Sequence, residues 1–224
     1  MKYLLAVVKG ILAGAAIALG GFLFTVITFA FRDPQYAEIG KILGALLFPI
    51  GLSIVCFCKL FLFTGKIGLV FERKQTKDFY IFLPLMYIGN ILGSLIIGYL
   101  CFGIFRNTDL FTRISAIAEA KTAFTDYQYY LSFIVKSLIT GLCVYLAVKS
   151  FGVCKNRVVG VILVFVFIGL FVYIGGDHCI ANMFYFSFAN QWTGYAFLNI
   201  ALATVCNSLG TIPGVLLFKG IKQQ

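Results

Sequence analysis

The sequence predicts an all-α membrane protein: six transmembrane helices in two inverted three-helix repeats, with helices 2 and 5 broken. Three observations carry that prediction. Of 224 residues, 61% are apolar and 12% charged, with a mean hydropathy of +1.00, a balance unlike that of an ordinary soluble domain. Six apolar runs, each long enough to span a bilayer at roughly 20 residues, fall at 3–30, 42–70, 80–105, 129–149, 158–187 and 195–218. Short matches then recur between the first three runs and the last three. Lipid offers backbone amides no partner, so each crossing has to be helical. The chain therefore reads as one transmembrane domain over 1–224, with repeat one about 1–106 and repeat two about 128–220.

The first run opens on Met1-Lys2 in the manner of a signal peptide. It continues unbroken to Phe31 and carries Lys9 inside the run, so it is read as an uncleaved span. Runs two and five are longer than one straight crossing requires. Each is interrupted by a polar or glycine-bearing patch, Thr64-Gly65-Lys66 in the second and Gly175-Gly176-Asp177-His178 in the fifth. Span one reads Val8-Lys9-Gly10-Ile11-Leu12-Ala13-Gly14, and span four reads Val135-Lys136-Ser137-Leu138-Ile139-Thr140-Gly141. Span three has Asn90-Ile91-Leu92-Gly93-Ser94, and span six has Asn207-Ser208-Leu209-Gly210-Thr211. Three spans per half means that the second half inserts upside down. Inverted repeats with paired broken helices build transport sites near the bilayer midplane.

A net charge of +10 in a soluble protein would suggest nucleic acid. Here the basic residues are topology signals instead, and no nucleic-acid partner is expected. The N-terminus (Lys2), the second loop (Arg73, Lys74, Lys77), the fourth (Lys149, Lys155, Arg157) and the C-terminus (Lys219, Lys222) hold nine basic residues. The alternate loops hold five (Arg32, Lys41, Arg106, Arg113, Lys121) against five acids (Asp33, Glu38, Asp109, Glu119, Asp126). Both termini are predicted to be cytoplasmic. The seven cysteines lie almost all inside apolar runs, where a thiol is a small hydrophobe. Cys56-x-Cys58 has no histidine beside it, so no metal site is predicted.

Four lysines, Lys9, Lys59, Lys66 and Lys136, remain inside the spans. Lys9 and Lys136 lie about six residues into spans one and four from opposite sides, roughly 9 Å inside each end. Charges placed at both mouths of a pore concentrate anions there; an isolated lysine would simply snorkel to the interface. The only histidine, His178, follows Asp177, the only acid outside the predicted loops, after an apolar stretch from Val161 to Ile174. A packing histidine bonded to a neighbouring helix is one reading. At a span break, flanked by glycines that free backbone groups, proton handling is the favoured one. Asn90, Asn182 and Asn207 are expected to tie the loosened backbone to neighbouring spans. No nucleotide loop, nucleophile triad or metal spacing is present, so neither an enzyme nor a cofactor is predicted.

These residues resemble the formate/nitrite transporter family. Leu47-Phe48-Pro49-Ile50-Gly51-Leu52 followed by Leu62-Phe63-Thr64-Gly65 is similar to its second span and omega-shaped loop. Gly175-x-Asp177-His178-x-x-Ala181-Asn182-Met183-Phe184 is similar to its fifth-span motif, and Asn199-x4-Thr204-x2-Asn207-x2-Gly210 to its sixth. With Lys9 and Lys136, the resemblance covers nearly the whole chain. It implies an aquaporin-like protomer with its own substrate pore, in a homopentamer in a plasma (inner) membrane of bacterial type. The implied substrates are small monovalent anions: formate or nitrite first, hydrosulfide next, lactate in some branches. By position, Phe48, Leu52, Leu62 and Phe171 would form apolar constrictions, and Thr64 and Asn207 would hydrogen-bond near His178. The implied mechanism has lysines draw the anion in and His178 supply a proton, directly or through water. The neutral acid then crosses the apolar constriction at lower desolvation cost. The chain departs from the family pattern at Lys59, Leu60, Phe61, Lys66, Gly176, Asp177 and Cys206. A neutral-solute pore and a non-conducting membrane subunit are the alternatives from other classes.

Overall fold

The computed structural model describes residues 1–72 and 75–221, and regular structure in them is helical throughout. Arg73, Lys74 and Lys222, three of the basic residues behind the predicted orientation, lie outside the described residues. The first half holds α1 (Lys2–Ala30), α2 (Ala37–Leu47), α3 (Ile50–Phe57), two short turns α4 (Phe63–Lys66) and α5 (Leu69–Glu72), and α6 (Lys77–Phe105). A helix outside the apolar runs, α7 (Asp109–Lys121), leads to α8 (Tyr127–Val153), α9 (Arg157–Tyr173), α10 (Cys179–Phe188), α11 (Gly194–Leu209) and α12 (Thr211–Ile221). Five helical stretches among the described residues are long and apolar enough to cross a membrane. The fifth apolar run divides into α9 and α10, each too short to do so alone.

Small residues let the helices approach closely where the sequence repeats. A Cβ on Gly14 would run into the backbone of Asn90, and one on Gly141 into the backbone of Asn207. Gly93 against Ile11 and Gly210 against Leu138 complete the two crossings. The α1/α6 and α8/α11 contacts are thus made from the same residue types at the same spacing.

The fifth run breaks where the sequence predicts, at 174–178. Gly175, at φ 71°, takes the left-handed position that ends α9, with Gly176 N–H bonded to the Phe171 carbonyl. The second run breaks earlier than expected. Thr64-Gly65-Lys66 is not the interruption but part of the turn α4; the chain leaves its helix at 58–62. Two causes are visible. Lys59 adopts φ 51°, and Leu60 N–H bonds the Val55 carbonyl, the same helix-ending arrangement that Gly175 makes. From α6, Asn90 then takes over the freed backbone: its Nδ2 donates to the Phe61 carbonyl at 2.8 Å and its Oδ1 accepts from Phe63 N–H at 2.8 Å. A further kink falls at Phe48-Pro49, where proline lacks an amide hydrogen.

Candidate functional site

The two breaks meet at His178. Asn207 brackets it as Asn90 brackets Leu62. Asn207 Oδ1 accepts from Cys179 N–H at 3.0 Å, and its Nδ2 donates to the Asp177 and Ser137 carbonyls at 2.8 and 2.9 Å. Asn90 makes the same three bonds to Phe63 N–H, Phe61 O and Gly10 O. Leu62 and His178 therefore occupy equivalent places, one apolar and one titratable. Both asparagines are wholly buried, which in lipid makes these bonds obligatory.

His178 caps α10: its Nδ1 accepts from Ala181 N–H at 3.2 Å. The ring hydrogen of the neutral imidazole therefore falls on Nε2, which donates to Thr64 Oγ1 at 2.8 Å. Both side chains are buried. The Phe171 ring stacks on the imidazole at 6.1 Å, and the Phe48 ring meets Phe171 edge-on at 6.0 Å. Leu52 and Leu62 are also buried, at 1% and 2% exposed. The four predicted constriction residues thus belong to one buried core, and Phe171 joins it to the Thr64–His178 pair.

A cavity of about 520 Å³ reaches this centre from one side. Lys41, Arg113, Lys121 and Lys136 line it, and Phe48, Phe171 and His178 belong to its wall. Lys136, one of the two lysines expected at the mouths, is among the side chains lining this cavity. Lys9 does not line this cavity; its Nζ donates to the Lys59 carbonyl at 3.4 Å and sits 5.0 Å from the Phe61 ring centroid. Lys9 thus contacts the 58–62 loop of the other break.

Asp177 adjoins His178 in sequence, but its side-chain partners lie elsewhere. Its carboxylate is not bonded to the imidazole. Asp177 Oδ1 accepts from Lys121 Nζ at 2.9 Å and Asn182 Nδ2 at 2.8 Å, with Asn199 Nδ2 at 3.5 Å. Asn199 Nδ2 also holds the Lys121 carbonyl at 2.8 Å, and the Lys121 ammonium lies 5.6 Å from the Tyr185 ring centroid. Lys121 counts among the loop bases by sequence; in the structure it ends α7 and reaches into the wall beside His178. Asn182, expected to tie backbone, bonds two side chains instead. The one sequence signal for Lys121 was indirect: an acid buried in an apolar run needs a cation.

The chain matches the family model described as formate/nitrite transporter over residues 1–220. An uncharacterized transporter of Bacillus subtilis, YrhG, is 30% identical, the alignment covering 91% of this chain and 79% of that one. A probable formate transporter of Methanothermobacter thermautotrophicus is 27% identical over 91% and 83% of the two chains. Among solved structures, a pentameric formate channel with formate bound superposes with a TM-score of 0.78 at 23% identity, covering 99% of this chain and 96% of that one. An ion channel of the same family gives 0.73 at 20% identity, over 98% and 89%. The two structures establish the fold, and the family model extends over both breaks, their asparagine brackets and the His178 centre. This chain belongs to the formate/nitrite transporter family.

Proposed function

We propose that the protein conducts small monovalent anions, formate or nitrite first and hydrosulfide second, through a pore centred on His178. The observation that carries this reading is a net-cationic cavity, four cationic side chains against the carboxylates of Glu38 and Asp177, that ends on a histidine set against phenylalanine rings. Cations raise the local anion concentration, while the packed Phe48, Leu52, Leu62 and Phe171 oppose passage of any bare charge. An anion advances past them once it is neutralised. His178 is the proposed proton source, with Thr64 and Asn207 positioning it. Because Nδ1 accepts from Ala181 N–H, charging the ring requires that bond to open, which couples proton uptake to a small movement at the start of α10.

The two halves are proposed to be inverted repeats, about 1–106 and 128–220, with Lys9 and Lys136 at opposite mouths. The similarity to a probable formate transporter and to a pentameric formate channel favours formate and a homopentamer for this chain. The loop charges favour cytoplasmic termini in a bacterial plasma membrane. Flux of formate and nitrite into proteoliposomes, measured from acid to neutral pH for wild type and His178→Asn, tests the reading. Wild type is expected to carry both, fastest where protons are plentiful, and the variant to lose the pH dependence. Identical pH profiles would remove His178 from the mechanism, and water or glycerol flux without anion flux would favour a neutral-solute pore.

A further inference from the structure

The Thr64–His178 bond joins the two halves at 2.8 Å, and a second link that the proposed mechanism does not use runs beside it. Tyr87 on α6 stands three residues before Asn90, and Thr204 on α11 three before Asn207, the two bracketing asparagines. Tyr87 Oη and Thr204 Oγ1 lie 2.7 Å apart. Thr204 Oγ1 commits its only hydrogen to the Ile200 carbonyl at 2.7 Å, so Tyr87 O–H is the donor. The Tyr87 ring also packs on the Phe63 ring, with centroids 4.6 Å apart. From the other side, the wholly buried thiol of Cys179 reaches Thr204. Phe63 precedes Thr64, and Cys179 follows His178. The contacts Phe63–Tyr87–Thr204–Cys179 therefore form a strut alongside the Thr64–His178 bond, ending on the chain neighbour of each partner.

We infer that Tyr87 and Thr204 are positioning residues for the pore centre, whose bond keeps Thr64 within reach of the imidazole. This deepens the reading of His178 as proton source and rests on it. Each asparagine bracket works inside one half: Asn90 holds Phe63 N–H, and Asn207 holds Cys179 N–H. The brackets thus shape the two breaks without fixing the distance between them. The strut crosses from one half to the other and fixes that distance. If Thr64 drifts away, the Nε2 hydrogen is opened to competing acceptors, water among them. The ring also loses the set geometry that proton transfer needs, and a small misplacement of a reacting group costs much of its rate.

His178 is the only histidine in the chain, so isotope labelling of histidine nitrogen reports this ring alone by magnetic resonance. The test measures exchange of the Nε2 hydrogen with water, and formate flux against concentration, in proteoliposomes of wild type, Tyr87→Phe, Thr204→Val and Thr204→Ser. Tyr87→Phe keeps the ring on Phe63, and Thr204→Val keeps the volume, so each removes little but the bond. In both, the hydrogen is expected to exchange about fivefold faster, as loss of one hydrogen bond allows, and maximum flux to fall by a similar factor. The formate concentration for half-maximal flux is expected to hold, because the cations lining the cavity are not part of the strut. Thr204→Ser keeps the hydroxyl and is expected to match wild type. Combining Tyr87→Phe with Thr204→Val is expected to add nothing to either alone, since both delete one bond. Unchanged exchange in both single variants overturns the inference, whatever the flux does. So do losses that add in the double variant, which would mean that the two side chains act separately. Should Tyr87→Phe fail to assemble, Thr204→Val tests the same bond. Faster exchange with unaltered flux supports the strut and overturns His178 as proton source, a result distinct from the others.

Discussion

Lys59 holds a left-handed backbone at φ 51°, where its counterpart in the other half, Gly175, sits at φ 71°. A residue with a Cβ pays roughly 1–2 kcal/mol for that region, and glycine does not. Lys59→Gly is therefore expected to stabilise the protein by about 1 kcal/mol, read as a higher denaturation midpoint in detergent. A lower midpoint would mean that the lysine side chain contributes more than the strain costs. The Lys121–Asp177 pair makes the opposite case, because its side chains are only 15% and 8% exposed. Lys121→Gln strands a buried carboxylate and is expected to cost about 3–5 kcal/mol. Adding Asp177→Asn should recover most of that stability, since the two sites share one bond. Anion flux should stay low in the double variant if Lys121 is a permeant ligand; its full return would make the pair purely structural. His178 was legible as the lone titratable ring at a break. Lys121 was not, because its partner lies 56 residues away and its own surroundings read as a loop.

At the level of elements, the apolar runs announced the spans, and the glycine and asparagine matches announced where they cross. What local sequence did not reveal was where the second run breaks. Thr64-Gly65-Lys66 looks like an interruption, yet the break is fixed at 58–62 by Asn90, a residue on a different helix. The asparagine brackets therefore hold the pore together. Asn207→Leu leaves the Asp177 carbonyl and the Cys179 N–H unpaired in a dry interior, at about 1–3 kcal/mol each. It is expected to abolish assembly or drop the denaturation midpoint sharply, whereas Asn207→Asp keeps the acceptor for Cys179 N–H and is expected to be milder. The helix crossings are as demanding. Gly141→Ala drives a methyl into the backbone of Asn207, and overpacking of this kind costs about 1–3 kcal/mol. If Gly141→Ala denatures like wild type, the α8/α11 approach is looser than its geometry implies.

Across the whole molecule, the two halves share their crossings and brackets but not their chemistry. One break presents His178 and the other Leu62; one is closed by a glycine turn and the other by Lys59. That asymmetry extends to the two lysines that sequence symmetry paired. Lys136 lines an open cavity, while Lys9 is engaged with the Lys59 carbonyl and the Phe61 ring. Symmetric placement thus does not imply equal action on an incoming anion. In vesicles where every protein points the same way, Lys136→Gln is expected to weaken anion entry from the cavity side several-fold, and most at low salt, because exposed charges are screened beyond about 10 Å at 0.1 M. Lys9→Gln is expected to slow entry from the opposite side less, since releasing the 58–62 loop offsets part of the lost attraction. The measurement is the apparent affinity for formate from each side, at two ionic strengths. Equal loss on both sides for both variants would restore a symmetric pore, and no loss for either would leave Lys41, Arg113 and Lys121 as the attracting charges.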